Sequence, residues 1–293
     1  MKKSILKVLA VMAIIPMLAF TACGKDEDTT DQTTTEATTT EATVADTTEA
    51  DADVDDSLTK IMDKGEFILG LDASFPPMGY TNEDDEIVGF DIDLAKEVCS
   101  RLGVELKLQP IDWDMNVTEL NAGNIDCVWN GMSINEERQN VMNLSEPYMK
   151  NKMVFVVKKD SGYKTLEDLA DKIVAVQNGS TAQDILDASD FIKTTADEIL
   201  KDDNPAAFQE LDMGTVDTVF VDSIVADYYI TSLGKDYEIL EEGLFEEEYA
   251  IGFRKNDQAL RDKIQEVLSE MKADGKMAEI STKWFGKDVT TVK

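Results

Sequence analysis

The chain has 293 residues, 60 acidic against 28 basic side chains, a formal charge of −32 and no histidine. That charge is the wrong sign for nucleic acid or an anionic lipid surface, which need clustered Lys and Arg. Without histidine there is no Ser-His-Asp or Cys-His catalysis and no His-ligated metal, and three scattered cysteines make no zinc pattern. A carboxylate- or hydroxyl-based enzyme or a binding protein remains, and no cofactor or metal site is expected.

Lys2, Lys3 and Lys7 precede the apolar run Val8 to Phe20, the layout of a secretory signal peptide over residues 1–22. At about 13 residues the run is short for a membrane span, which needs about 20. It ends in Phe20-Thr21-Ala22-Cys23-Gly24, and small residues before a cysteine resemble the bacterial lipobox, with Cys23 as the lipidated residue. Phe20 departs from the usual Leu of that motif. Residues 24–57 hold 11 threonines and 12 acids against the single Lys25, with no aromatic, Leu or Ile. Such a stretch buries too little apolar area to offset its chain entropy, so residues 23–57 are expected to be a disordered tether spanning roughly 30–35 Å.

From Glu66 onward short apolar runs alternate with helical patterns, the signature of α/β architecture. Phe67–Leu71 reads as a strand. Asp91 reads as the N-cap of a helix with Ile92, Ala95, Val98 and Leu102 on one face and Gly103 at its end. Val104–Leu108 and Ile125–Trp129 read as strands, Glu136–Val141 as a short helix and Met153–Val157 as a strongly apolar strand. A second cycle follows: strand Ile173–Val176, helix Thr181–Ala188, a helix opened by Pro205, strand Val219–Val221 and helix Ser223–Ser232. Tyr249–Phe253 is the last strand, before a long amphipathic helix Gln258–Ala273 and a shorter one to Phe285. Leu120-Asn-Ala-Gly123-Asn-Ile125-Asp126 is echoed 91 residues later by Leu211-Asp-Met-Gly214-Thr-Val216-Asp217, each a helix end, a glycine turn and a strand. Two α/β lobes place a cleft between them, a favoured ligand site. Cys99 and Cys127 read as buried thiols, and sequence alone does not show whether their Cα atoms are close enough to pair.

Six stretches, in order, resemble the family 3 solute-binding proteins of ABC importers. They are Gly70-Leu71-Asp72-Ala73-Ser74-Phe75-Pro76-Pro77, Val88-Gly89-Phe90-Asp91-Ile92-Asp93-Leu94-Ala95, Asn130-Gly131-Met132-Ser133-Ile134 through Arg138, Ser145-Glu146-Pro147-Tyr148, Val176-Gln177-Asn178-Gly179-Ser180-Thr181 and Phe220-Val221-Asp222-Ser223. The resemblance covers nearly all of residues 60–286. It implies a periplasmic-binding-protein type II fold, two α/β lobes joined by a two-stranded hinge. Residues 58–150 and 249–293 would form lobe 1 and residues 151–248 lobe 2, with crossings near Lys150 and Glu248.

The same resemblance implies an amino-acid ligand, and the residue chemistry agrees. Arg138 is the natural partner of the α-carboxylate, because guanidinium binds it bidentately. Asn130, Gly131 and Ser133 just upstream can add amides and oxygens, although Asn130 and Gly131 stand where many relatives carry small hydroxyl residues. Ser180 and Thr181 sit where a strand enters a helix, so their amides can face an anion. Asp222 pairs with the ligand ammonium in the family pattern, and it also reads as an N-cap. Asp72 contacts ammonium or ligand side chain, or shapes the turn before the Pro-Pro pair. Phe75 matches an aromatic that packs on the ligand side chain. Trp113 reads as the opposite wall or as core, and Trp129 as core or cleft lining. For Asp91 and Asp93 helix capping is preferred to ligand binding.

The reading is therefore an extracytoplasmic, monomeric lipoprotein that captures a polar amino acid between two lobes and delivers it to the permease subunits of an ABC importer. It touches the membrane only through its lipid, at the outer face of the cytoplasmic membrane of a Gram-positive cell or in a Gram-negative periplasm. Two other classes are kept open: an enzyme on the same fold, like the cyclohexadienyl dehydratases, and a sensor ectodomain that would need a separate membrane partner.

Overall fold

The computed structural model describes residues 55–293 apart from 243 and 244. The expected signal peptide, Cys23 and all but the end of the tether lie outside the described residues. That end differs from expectation. Asp55 accepts from Ser57 N at 3.0 Å and from Ala259 N, while Ser57 Oγ accepts from Leu260 N at 3.1 Å. Ser57 is buried and opens the helix Ser57–Lys64, so the fold begins there rather than after it.

One lobe is built on a five-stranded sheet. Its first strand in the chain is Glu66–Leu71, parallel to the edge strand Glu105–Pro110 on one side and to the central Cys127–Val128 on the other. Gly252–Arg254 then joins antiparallel, followed by Met142–Leu144. Phe67, Leu69 and Leu71 are fully buried beneath the helix Phe90–Leu102 and its neighbours. The helix Gln258–Ala273 buries Leu260, Ile264, Val267, Leu268 and Met271 at helical spacing, and each such side chain contributes roughly 1.5–3 kcal/mol. A small antiparallel sheet, Ser74–Phe75, Gly79–Thr81 and Ile87–Val88, follows the first strand and was not anticipated. Cys99 and Cys127 are buried free thiols.

The other lobe holds a six-stranded sheet in the order Asp197–Lys201, Ile173–Gln177, Thr218–Asp222, Met149–Lys158, Tyr237–Ile239, with Phe245–Tyr249 also on Met149–Lys158. Phe155 and Phe220 face each other across adjacent strands, ring centroids 4.4 Å apart. The chain leaves the first lobe along Met149–Lys158 and returns along Phe245–Tyr249, which pair antiparallel with Lys150 opposite Glu248. No described helix is long and apolar enough to cross a membrane.

Several elements depart from the sequence reading for identifiable reasons. Tyr249–Phe253 is two strands, Phe245–Tyr249 and Gly252–Arg254. Between them the backbone changes partners: Ala250 N donates to Met132 O at 2.9 Å and Ile251 N to Ser145 Oγ at 2.9 Å. Ser223–Ser232 is an α-helix only to Asp227 and widens to a π-helix over Tyr228–Ser232. Asp91 is not an N-cap. The helix starts two residues earlier, at Phe90 after Gly89 at φ +150°, where a Cβ would lie 2.1 Å from Met78 O. The Asp91 carboxylate turns inward to Gly131 and Tyr148 instead.

Candidate ligand-binding site

The first wall of the cleft is the loop Asn130–Ser133, which follows the central strands of the five-stranded sheet. Gly131 adopts φ +58°, and a Cβ there would meet Phe75 Cε1 at 2.8 Å, so the Phe75 ring rests directly on this backbone. Asp91 Oδ2 accepts from Gly131 N at 2.7 Å and from Tyr148 OH at 2.9 Å. Asp91 is fully buried, and burial pushes its carboxyl up to about 7. Asn130 Oδ1 accepts from Asp72 N at 3.1 Å, binding two expected site residues to each other.

Arg138 is carried by the helix Glu136–Val141, capped by Asn135, whose Oδ1 accepts from Arg138 N at 2.8 Å. Its guanidinium donates from Nη1 to Ser133 O at 2.8 Å and lies 5.7 Å from the Trp113 ring centroid. Arg138 is only 6% exposed, and desolvation pulls its pKa below the ordinary value while Asp184, Glu247 and Asp222 oppose that shift. Guanidinium nevertheless stays charged in proteins. No described carboxylate forms an ion pair with it, so a buried cation presents free donors toward the cleft.

The second wall comes from the other lobe. The strand Ile173–Gln177 turns through Asn178 and Gly179 into the helix Thr181–Ala188. Ser180 caps that helix: its Oγ accepts from Gln183 N at 3.1 Å and donates to Gln177 O at 2.7 Å. The amides at the start of the following turn lack intrahelical acceptors by geometry. Asp222 ends the strand Thr218–Asp222, where it is not a side-chain cap for the next helix. Its Oδ1 accepts from Asn151 Nδ2 at 2.7 Å and from Tyr249 OH. Burial first, and then the neighbouring Glu247 charge, hold the Asp222 carboxyl well above the ordinary range.

The walls touch. Gln177 Nε2 donates to Asp72 Oδ2 at 2.8 Å, Asn135 Nδ2 to Thr181 Oγ1 at 3.2 Å, and Asn178 Nδ2 to Asp114 Oδ2 at 3.1 Å. Asp72 also accepts from Ser74 N at 2.9 Å, so it shapes the local turn as well as facing the second lobe. Its carboxyl is raised, chiefly by burial. The lobes are therefore closed on each other, and Trp113, Arg138, Ser180, Thr181, Asp72 and Asp222 are all buried.

Of the expected residues, Ser133, Arg138 and Trp113 form one contact group, Phe75 and Gly131 a second, and Asp72 and Asn130 a third. Asp222 reaches the first group through Tyr249, which bridges Ser133. Phe75 and Trp113 do not pair with each other. Trp129 is fully buried, edge-on to Tyr148 at 6.3 Å, and belongs to the core. Gln177, Asp91 and Glu247 were missed. Glu247 lies in the acid run Glu246–Glu248, which the sequence reading did not single out. The signal was strand periodicity, since Phe245, Glu247 and Tyr249 share one face.

The mixed α/β architecture of two sheet-containing lobes is that of the type II periplasmic-binding fold. The sequence profile of bacterial extracellular solute-binding proteins, family 3, matches residues 67–287, and the chain belongs to that family. It is 30% identical over 235 residues to the L-cystine-binding protein TcyJ of Escherichia coli, covering 80% of this chain and 87% of that one. It is 34% identical over 221 residues to the ABC transporter arginine-binding protein 1 of Escherichia coli, covering 74% and 89%. A substrate-binding protein of an ABC uptake transporter from Streptococcus pneumoniae, solved with bound histidine, superposes with a TM-score of 0.79 at 37% identity, covering 81% of this chain and 99% of the other.

Proposed function

We propose that this protein is a lipoprotein, anchored through Cys23 outside the cytoplasmic membrane. It captures a polar amino acid between its lobes as a monomer, hands it to the membrane subunits of an ABC importer, and breaks no bond. The observation that carries this reading is Arg138, a buried guanidinium with no ion pair among the described residues. A buried cation left unpaired is costly. An α-carboxylate bound bidentately there removes the cost, with the helix start at Ser180 and Thr181 facing the same anion. The ammonium then lies toward Asp222, and Phe75 and Trp113 flank the ligand.

Asp72 and Gln177 stand where the side chain would extend, and they favour an amino acid with hydrogen-bond donors at its far end. Arginine, histidine and cystine, the amino acids named for the relatives above, all meet that requirement. Closure draws on contacts made to both lobes, since a ligand indifferent to open and closed states shifts nothing.

The test is thermal unfolding of the purified protein with each common amino acid and cystine. A ligand at about 100 times its dissociation constant adds roughly 2.7 kcal/mol. A clear upward shift with one or a few polar amino acids is expected. No shift with any of them, together with no amino acid released on denaturation by mass spectrometry, would overturn the reading.

A further inference from the structure

The acidic side of the cleft contains one carboxylate more than a single ammonium needs for charge balance. Glu247 stands on the returning strand Phe245–Tyr249, opposite Asn151 of the outgoing one. The Asn151 amide donates to Asp222 Oδ1 at 2.7 Å and to Glu247 Oε1 at 2.5 Å. Its own Oδ1 accepts from Ser223 Oγ at 3.1 Å, which fixes which end of the amide faces the acids. One nitrogen thus fastens two carboxylates, each by one oxygen.

One of the remaining oxygens lacks a donor. Glu247 Oε2 is sealed from solvent and accepts no hydrogen bond from a described residue. The Asn151 and Tyr249 hydrogen bonds to Asp222 both land on Oδ1. A buried acceptor left without a donor costs roughly 1–3 kcal/mol. A primary ammonium brings three N–H donors and a positive charge.

We propose that Glu247 is a ligand-binding residue, and that with Asp222 it forms a two-carboxylate seat for the α-ammonium, built directly onto both crossing strands. The proposal rests on the amino-acid-binding reading above and adds a residue and a pH dependence to it. Two buried like charges this close do not both ionise without a cation. Burial holds both acids above the ordinary carboxylate range, and the Glu247 charge raises Asp222 further, while contacts with Asn151, Ser133 and Asp222 pull Glu247 partly back down. The other groups facing the pair are few. Arg138 across the cleft favours the charged form of Glu247. Tyr249 is neutral, with Tyr148 and Asp91 behind it. On the neighbouring strand Lys152 is engaged with Glu246, and Lys150 lies opposite Glu248.

The ligand-free pair therefore keeps one shared proton and a charge of minus one. When the ammonium arrives, the pair ionises fully and the proton leaves to solvent, so each ligand bound releases up to one proton. Affinity rises with pH while the free pair is still protonated and levels off once it is not.

Isothermal titration of the full chain with L-arginine and with L-cystine between about pH 5 and pH 8, in two buffers of different ionisation enthalpy, counts that proton. The wild type is expected to release close to one proton per ligand in the steep region, with Kd falling up to about tenfold per pH unit. Glu247→Gln should lose the release and the slope and weaken binding by about tenfold or more at the alkaline end. Glu247→Asp should restore the release, which separates charge from folding. Wild-type binding without proton release, or a Glu247→Gln protein with wild-type affinity and slope, overturns the proposal. If neither amino acid binds the wild type, the titration uses the amino acid that raised the unfolding temperature, and a carboxyl 13C titration of the ligand-free protein decides the seat whichever ligand that is. Two ordinary, independent carboxylate titrations for Asp222 and Glu247 would overturn it.

Discussion

In the first lobe the helix Asn116–Ala122 ends at Gly123, and the chain turns so that Asp126 N donates to Ile68 O at 2.7 Å while Asp126 Oδ2 accepts from Ile68 N at 2.8 Å. In the second lobe the helix Asn204–Met213 ends at Gly214, and Asp217 makes the same two bonds with Ile173, at 2.9 and 3.0 Å. The repeated sequence is thus a repeated joint: a left-handed glycine, then an aspartate that pins the entering strand to its neighbour by backbone and side chain. Around it the lobes diverge. Asp126 also holds Lys64 at 2.8 Å and Arg254 at 3.7 Å, whereas Asp217 takes the Tyr163 hydroxyl at 3.0 Å. The ligand loops diverge further. Asn130–Ser133 is braced by a buried acid, Asp91, while Gly179 is held by the neutral Gln183 amide at 2.8 Å. The frame is shared, and the charge chemistry differs: the first lobe carries the buried guanidinium Arg138, and Asp222 of the second faces the proposed ligand ammonium with no described cation of its own lobe paired to it.

The largest test removes one side of that difference. Arg138→Ala is expected to cost roughly 2–5 kcal/mol of binding, about 30- to several-thousand-fold in affinity by titration calorimetry, with the melting temperature nearly unchanged. A loss under about threefold would take Arg138 out of the site. The next test concerns the two loop braces. Asp91 is raised from 3.8 to about 7 in the fold, so the native state binds more protons across that interval. Stability therefore falls as pH rises through it, by at most roughly 4 kcal/mol. Asp91→Asn keeps an acceptor for Gly131 and Tyr148 and should flatten that slope in urea unfolding. An unchanged slope would show that the acid of the first lobe does not titrate there.

The repeated joint makes a finer comparison. Asp126→Ala should lose about 2–3 kcal/mol, because it also removes the Lys64 ion pair and a longer contact with Arg254, which keeps Asp257, and Asp217→Ala only about 1–2 kcal/mol. Equal losses would mean that the extra cations of the first lobe add nothing. The smallest effect is expected at Gly179, with φ +66° and a Cβ position 2.7 Å from Asp114 Cα across the cleft. Gly179→Ala should cost about 1 kcal/mol in the unliganded protein and weaken binding about tenfold by hindering closure. Unaltered affinity would show that closure does not need this contact.

Local signals carried far in this chain. The helices Glu136–Val141, Thr181–Ala188 and Gln258–Ala273 begin and end where caps and periodicity put them, because those determinants lie within a few residues of each other. Arg138, Ser180 and Asp222 stood out as candidates because the family resemblance runs through short motifs at the ends of local elements. The strand across Tyr249–Phe253 was misread because its break comes from a change of partners, which no local pattern records. Asp91 was taken for a cap because its destination, Gly131, is 40 residues away. Gln177 went unnoticed because its partner Asp72 belongs to the other lobe, 105 residues distant.

By itself the sequence determined the α/β alternation, the family, the repeated glycine–aspartate joint and the residue types suited to an amino acid, since all of these rest on spacing and chemistry along the chain. Only the tertiary structure decided which acids are buried, which share a donor and which loops meet. Desolvation and hydrogen-bond partnership are set by chain segments far apart in sequence. For that reason Glu247, one of three consecutive glutamates, stands beside Asp222 with a sealed oxygen, while its neighbours Glu246 and Glu248 lie opposite lysines on the adjoining strand.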